Sequence, residues 1–359
     1  MKMPLFYHKR PVFGLDIGSQ TVKFLQLEAH QKHASVRAYG SIATDQKIMN
    51  GGVITDVKKA AELVDSLLAN HMQGTLTTNR VVMSIPVSRV FTRVLTLPTM
   101  SKKELQSAMQ LEVEQSVPMQ AKNLYYDYET TETSDADTMR VRMVAAPRNI
   151  VDSYTEVCDM LGLDLSLVQT NIEADAQLCM RYEELTADSP YVIVDVGGDS
   201  IDVGILDNQT LHVTGTVDAG GNSLTQAIAK SLHLSPAKAN DIKVKQGIGA
   251  GKNQAKVRAA VSPILDKVIV EIKRMSRFYE ERVREGSEIS QILIVGGGAN
   301  MPGLGDYLTN ATHIATRVSS PWSKYITFGK LEPPEHADLP RFLTCAGLAL
   351  AQSDGALEL

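Results

Sequence analysis

The chain has 359 residues, room for roughly two or three domains, and 43% of them are hydrophobic, which supports packed cores and excludes a disordered chain. A formal net charge of -5 gives no global basic field, so nucleic acid is not an expected partner. Three widely separated cysteines, Cys158, Cys179 and Cys345, fit neither a disulfide framework nor a zinc site, which points to a reducing compartment.

The N-terminus carries Lys2, Lys9 and Arg10 around Pro4-Leu5-Phe6-Tyr7, without the apolar stretch and cleavage site of a signal peptide. No segment approaches the ~18 apolar residues of a spanning helix. A cytoplasmic protein is expected, reaching a membrane only through a partner or a weak surface contact. Residues 12–17 and 22–28 read as strands flanking the turn Asp16-Ile17-Gly18-Ser19-Gln20-Thr21-Val22-Lys23, and residues 34–44 as a third strand. Residues 60–69 have helical spacing, with Ala61, Val64, Leu67 and Leu68 on one side.

Residues 80–150 read as an inserted module in the order strand, strand, helix, strand, strand, helix. Its strands are 81–85, 90–97, 124–129 and 140–145, with a polar loop over 130–138. Its first helix opens at Ser101, with Glu104 completing a capping box, and closes at Pro118. Its second helix spans 149–161. Past residue 190 a second apolar strand runs into Asp195-Val196-Gly197-Gly198-Asp199-Ser200-Ile201-Asp202. Gly220-Gly221-Asn222 precedes helices at 223–231 and 236–245, and a long amphipathic helix covers 257–284. A third strand, 292–295, ends in Gly296-Gly297-Gly298. A proline-containing linker at 331–340 leads to a last helix, 342–351.

The two acidic glycine turns carry the chemistry. Glycines let backbone N–H groups approach phosphate oxygens, and such nests bind anions. Ser19 and Thr21 can add hydroxyl donors, and Lys23 a point charge. Asp16 and Asp195 can hold Mg²⁺ through waters, since Mg²⁺ gives up its hydration shell reluctantly. One such turn is usually a plain hairpin. Two copies, each in a strand-turn-strand context, point to a chain of two related halves clamping a nucleotide. The run Gly247-Ile248-Gly249-Ala250-Gly251-Lys252 only mimics a phosphate loop: its glycines are too close and Asn253 stands where Mg²⁺ needs Ser or Thr.

With these residues in place the chain resembles the actin, Hsp70 and hexokinase superfamily. Residues 16–23 and 195–202 resemble its two phosphate motifs, 292–304 its adenosine motif, and 168–181 and 342–351 its two connecting helices, in family order. Asp199 stands where Hsp70-like members have a third glycine. Within the superfamily the chain resembles the PilM family of type IV pilus machines, through Phe13-Gly14-Leu15-Asp16-Ile17-Gly18-Ser19, Ile85-Pro86, Glu112-Val113-Glu114-Gln115-Ser116-Val117-Pro118 and Gly220-Gly221-Asn222-Ser223-Leu224-Thr225.

The resemblance implies an α/β, two-lobed actin-like ATPase fold with an inserted FtsA-type 1C (SHS2-like) subdomain. The first lobe takes 1–79, 150–189 and 325–359, the insertion 80–149, and the second lobe 190–324. The implied cofactors are ATP and Mg²⁺. The cofactor-binding residues are Asp16, Gly18, Ser19, Gln20, Thr21, Lys23, Asp195, Gly197, Gly198, Gly220, Gly221, Asn222, Gly296, Gly297 and Gly298, with Lys238 and Lys243 reaching toward adenosine. Glu173 and Asp175, in the first connecting helix, are the candidate catalytic carboxylates, and at most slow ATP turnover is expected.

The implied partner is the N-terminal cytoplasmic peptide of a PilN-like inner-membrane protein, docked in a groove between the 1A and 1C subdomains. Other pilus platform proteins, the motor ATPase and self-association are further candidates. Two other readings share the fold: a filament-forming protein like FtsA or MreB, and a small-molecule kinase. The short acidic end, Gln352-Ser353-Asp354-Gly355-Ala356-Leu357-Glu358-Leu359, lacks the basic membrane helix of FtsA. No sugar-kinase signature accompanies Glu173 and Asp175.

Overall fold

The computed structural model describes residues 11–351, apart from 31, 45, 51, 132–136, 186–188 and 209. The expected readings of residues 1–10 and 352–359, and most of the loop 130–138, lie outside the described residues.

Two sheets share one topology. In the first, Phe13–Ile17, Thr21–Ala29 and Ala34–Ala43 form an antiparallel meander. Arg80–Ile85 then adds parallel to Phe13–Ile17, and Asp164–Thr170 parallel to Arg80–Ile85. In the second, Tyr191–Val196, Ile201–Asp207 and Thr210–Val217 form the meander. Gln291–Val295 and Thr316–Val318 add parallel on the same side as their counterparts. The two acidic turns therefore occupy equivalent places, each at the first hairpin of its sheet.

Both sheets are covered on both faces, which is why their central strands are apolar almost throughout. The strand period of two divides each strand between two cores. Val81, Met83 and Ile85 face the helices Val57–Asn70 and Arg148–Leu161. Val82 faces the opposite way, against Ala174 and Leu348. In the second sheet Val192, Val194 and Val196 meet the helices Gly221–Leu232 and Gln254–Arg282. Between the sheets lie two helices, Asn171–Tyr182 and Leu343–Leu350. Ile172, Ala176, Leu343 and Ala346 pack there with Leu25 of the first sheet and Ile193 of the second.

These two connecting helices cross at backbone distance. A Cβ on Gly347 would lie 1.9 Å from the carbonyl oxygen of Ala174. At the same crossing Thr344 Oγ1 donates to Asp175 Oδ1 at 3.0 Å.

A third sheet, antiparallel, sets Thr138–Pro147 between Phe91–Pro98 and Leu124–Thr131. The helix Lys102–Ser116, started by the expected Ser101–Glu104 capping box, lays Leu105, Met109 and Val113 on Val141 and Met143. This module's own elements run from 91 to 147. Arg80–Ile85, expected as its first strand, is a central strand of the first sheet instead, and Arg148–Leu161 packs beside Val57–Asn70. The continuous apolar run 81–85 marks a doubly buried strand, whereas Phe91–Pro98 is half exposed along its length. The first connecting helix begins at Asn171, not near 168, because 164–170 is claimed by parallel pairing with Arg80–Ile85. Thr170 then caps the helix with Glu173.

Substituting Gly347→Ala drives a methyl into a main-chain carbonyl that cannot rotate away. The expected loss is at the upper end of the overpacking range, about 3 kcal/mol. Urea unfolding measures it; an unchanged midpoint with an unchanged slope would contradict this account of the crossing.

Candidate functional site: an acidic cleft between the two sheets

The first turn closes with the Gly18 N–H donating to Thr21 O at 3.1 Å. In the hairpin register Asp16 stands directly opposite Lys23, and their side chains meet at 2.7 Å. Ser84 Oγ donates to the other Asp16 oxygen at 2.8 Å. Burial alone would lower the Lys23 pKa, but Asp16 and more distant negative groups outweigh it and raise the value. Lys23 thus stays charged, held beside Asp16.

The second turn repeats the geometry with a different pair. Asp195 stands opposite Asp202, both buried, so two like charges face each other across the hairpin. One side chain bridges them: Asn171 Nδ2 donates to Asp195 Oδ2 and to Asp202 Oδ2, each at 2.8 Å. Thr216 Oγ1 donates to the remaining Asp202 oxygen at 2.7 Å. Burial, then the charge of Asp202, pushes Asp195 up to about 7 from an ordinary 3.8. Behind them Asp175 is fully buried, and burial with the nearby Asp195 raises it strongly as well.

The two turns meet across a cleft of about 560 Å³. A Cβ on Gly198 would lie 2.6 Å from Ser19 Oγ, and Gln20 Nε2 donates to Asn222 Oδ1. Asn222 Nδ2 in turn donates to Asp199 Oδ1 at 2.7 Å, which ties the extra carboxylate of the second turn. Gly296, at φ 81, brings the third glycine turn so close to Asp195 that a Cβ there would lie 2.0 Å from Oδ1.

The structure brings most of the expected residues together. Asp16, Gly18, Ser19, Gln20, Thr21, Lys23, Asp195, Gly197, Gly198, Gly221, Gly296, Gly297 and Gly298 line the cleft. Gly220 and Asn222 border it, with the Asn222 N–H donating to Gly198 O at 2.8 Å. Lys238 does not reach it: that side chain is exposed on the far side of its helix. Lys243, one and a half turns on, lines the cleft and donates to Gly221 O and Thr225 Oγ1, both at 2.9 Å. Burial, with the charge of Arg341, lowers its pKa to about 8.

Glu173 and Asp175 do not line the cleft. Glu173 is held by the capping box and by the Arg142 guanidinium, and Asp175 points into the helix crossing. Gly247–Lys252 packs on Pro302, through the Ile248 and Gly249 N–H groups, and not on the cleft. Ser84, Asn171 and Thr216 were missed by sequence reasoning. Ser84 had a signal, as a polar side chain inside the buried apolar run 81–85. Asn171 had none, since its partners lie 24 and 31 residues away.

The donor set suits a hydrated cation carried with phosphate. Asp16, Asp195 and Asp202 face the cleft, and backbone turns from both lobes converge on it. Among the described residues no three carboxylate, His or Cys groups have metal-ligating geometry. One or two carboxylates plus waters and phosphate oxygens are what Mg²⁺ accepts.

Because Asp195 is raised on folding, its stabilising effect is complete below its unfolded value near 3.8 and disappears as pH rises through about 7. Asp195→Asn should therefore flatten the stability profile between those limits and be at least as stable as wild type at pH 8. Denaturation at pH 5 and pH 8 checks this; an unaltered pH profile would remove the burial argument.

Residues 14–353 match the family described as "Type IV pilus assembly protein PilM". The structure is similar to the PilM-PilN type IV pilus biogenesis complex, at 21% identity, 97% of this chain, 100% of that chain and a TM-score of 0.82. It is also similar to MreB 5 of Spiroplasma citri bound to AMPPNP, at 13% identity, 97% of each chain and a TM-score of 0.57. In sequence it is 22% identical over 234 residues to the cell division protein FtsA of Neisseria meningitidis serogroup B. That match takes in 58% of this chain, and the chain spans about half, 53%, of that relative's length. The two-lobed architecture is thus the actin-like ATPase fold, and the chain belongs to the PilM family of type IV pilus assembly proteins.

Proposed function

We propose that this protein is an ATP-binding adaptor of a type IV pilus assembly machine, which docks the N-terminal cytoplasmic tail of a PilN-like membrane protein and links it to the cytoplasmic side. The observation that carries the reading is the cleft in which two equivalent hairpins, one from each lobe, turn their acids and glycines toward each other. In it Mg-ATP would be held by Asp16 and Asp195 through waters, by the backbone of both turns, and by Lys23 once drawn from Asp16. Lys243 would approach the nucleoside in place of Lys238. Bound Mg²⁺ would screen the acids and fix the phosphates.

Neither expected catalytic carboxylate is free to act as a base. Glu173 is committed to Arg142 and Asp175 is sealed between the connecting helices. This supports binding with slow turnover at most and disfavours a kinase, which needs a base beside its acceptor. Among the described residues no helix is long and apolar enough to cross a membrane; in this reading the PilN-like partner supplies the attachment.

For the tail, a second groove of about 450 Å³ supports the adaptor reading. It lies where the three-stranded module meets the first connecting helix and the second lobe, so much of its wall belongs to the second lobe and not, as expected, to the first. Its walls include Thr92, Arg93, Val94 and Thr96 on the outer strand of the module and Leu211 to Thr214 on the outer strand of the second sheet. Outer strands offer unpaired backbone groups to an extended peptide, and side-chain pockets then select its sequence. Val94 and Phe278, both in the groove, are exposed at 37% and 49%.

Calorimetry should show Asp16→Asn losing Mg-ATP affinity by at least about tenfold while its unfolding midpoint is retained. Asn keeps an acceptor for one of Ser84 and Lys23, which bond different oxygens of Asp16, and Ala would keep neither. Unchanged affinity would remove Asp16 from the site. Titration with the PilN-like tail peptide should be saturable and one-to-one. Val94→Glu should weaken it about tenfold and leave Mg-ATP binding alone. Equal peptide affinity in that variant would move the docking site elsewhere.

A further inference from the structure

Charge is segregated in this molecule. The whole chain carries a net -5, yet residues 221–284 hold thirteen Lys and Arg against five Asp and Glu. This stretch contains the helices Gly221–Leu232, Pro236–Lys245 and Gln254–Arg282, of which the first and last cover one face of the second sheet. One of its cations, Lys243, turns into the cleft. The longest run of the others lies on Gln254–Arg282, a helix of 29 residues and so about 43 Å long.

That helix has two unlike faces. Val257, Val261, Leu265, Val268, Ile272 and Met275 are buried in the core of the second lobe. The opposite stripe carries Lys256, Lys267, Val270, Arg274 and Arg277 at helical spacing, all exposed, with Lys273 beside them. The acids between them leave most of this charge uncompensated. Glu271 pairs with Arg274 at 2.6 Å, and Asp266 accepts from Tyr307 Oη at 2.8 Å. Glu281, near the end of the helix, is exposed. Among the described residues Lys256, Lys267, Lys273 and Arg277 form no ion pair. Val270 stands among these cations at 65% exposure, the most exposed large apolar side chain among the described residues.

We infer that this stripe is a contact surface for a membrane of anionic phospholipid. The helix forms a ridge on the outside of the lobe, and none of these six side chains lines the cleft or the groove. An extended peptide needs a groove for its backbone and pockets for its side chains, whereas a ridge meets a plane along its length. An apolar side chain ringed by cations suits the headgroup boundary: Val270 meets the apolar edge while the Lys and Arg stems reach back to phosphate. The phosphate backbone of a nucleic acid has no apolar layer to receive it. The buried face of the helix is committed to the core, so the helix does not sink into the bilayer. Contact therefore stays shallow, electrostatic and reversible. The acidic remainder of the chain is repelled by the same lipids, which selects one orientation with the stripe against the membrane. The inference stands without the nucleotide and without the peptide tail.

The test sediments the full chain with vesicles of phosphatidylcholine alone, or of phosphatidylcholine and phosphatidylglycerol in equal parts. No other protein is present, so binding cannot run through a partner. Wild type should bind the second vesicles and not the first, and should lose that binding as salt rises and screens the charges. The triple variant Lys267→Gln, Lys273→Gln, Arg277→Gln should bind about a hundredfold more weakly, roughly fivefold for each charge, with its melting temperature retained. Val270→Ser alone should weaken binding about threefold and leave the salt dependence unchanged. The control Lys102→Gln, Lys103→Gln, Lys122→Gln removes as much charge from the exposed surface of the module and should leave binding within about twofold of wild type. No binding to the anionic vesicles, equal binding to the neutral ones, or equal losses in the two triple variants would overturn the proposal. So would tighter binding to duplex DNA than to the vesicles, lost in the stripe variant, which would assign the ridge to another polyanion.

Discussion

Asp195 and Asp202 face each other across one antiparallel pair, buried, with a single amide between them. The equivalent pair in the first lobe is Asp16 and Lys23, an attraction in place of a repulsion. The same strand-turn-strand device thus serves two ends. In the first lobe it holds a charged lysine in reserve beside an acid. In the second it sets two acids together whose ionised forms burial and mutual repulsion disfavour, a cost that the cation of the proposed reading would relieve. Burial of this kind is costly unless something of opposite sign arrives, and that cost is what favours the proposed reading of the cleft as a binding site over a mere seam.

The position of Asn171 explains how the two acids can lie so close. Its helix begins where a parallel strand of the first sheet ends, and Thr170 and Glu173 cap that beginning. The first lobe therefore supplies the group that restrains the acids of the second. The three-stranded module enters the same arrangement through Arg142, which competes for no cleft acid but holds the cap residue. A side chain expected to do chemistry is instead a fixing point between units.

Much of this was legible in the sequence because it depends on local rules. Strand-turn-strand around acidic glycine turns, the Ser101 capping box and the long helix 254–282 all follow from spacing and composition. What was not legible depends on partners distant in the chain. Residues 81–85 and 90–97 both read as strands, and only the doubly buried character of the first run separates a sheet centre from a module edge. Lys238 and Lys243 sit on one helix, and which of them faces the cleft is decided by how that helix packs on Gly221–Leu232. Asn171 and Arg142 are ordinary residue types in ordinary contexts, and their roles appear only when three sheets are assembled around one helical turn.

The contact of Gly347 with the Ala174 carbonyl has a mechanical consequence. Sliding of packed helices needs side chains that can change rotamer, and here main chain rests on main chain with nothing between to yield. Translation of one connecting helix along the other is blocked at that point, whereas rotation about it is not. The crossing is then a fulcrum and the two lobes are lever arms. A turn of a few degrees that barely disturbs the helices becomes a displacement that grows with distance from the crossing, greatest at the outer rims of the lobes.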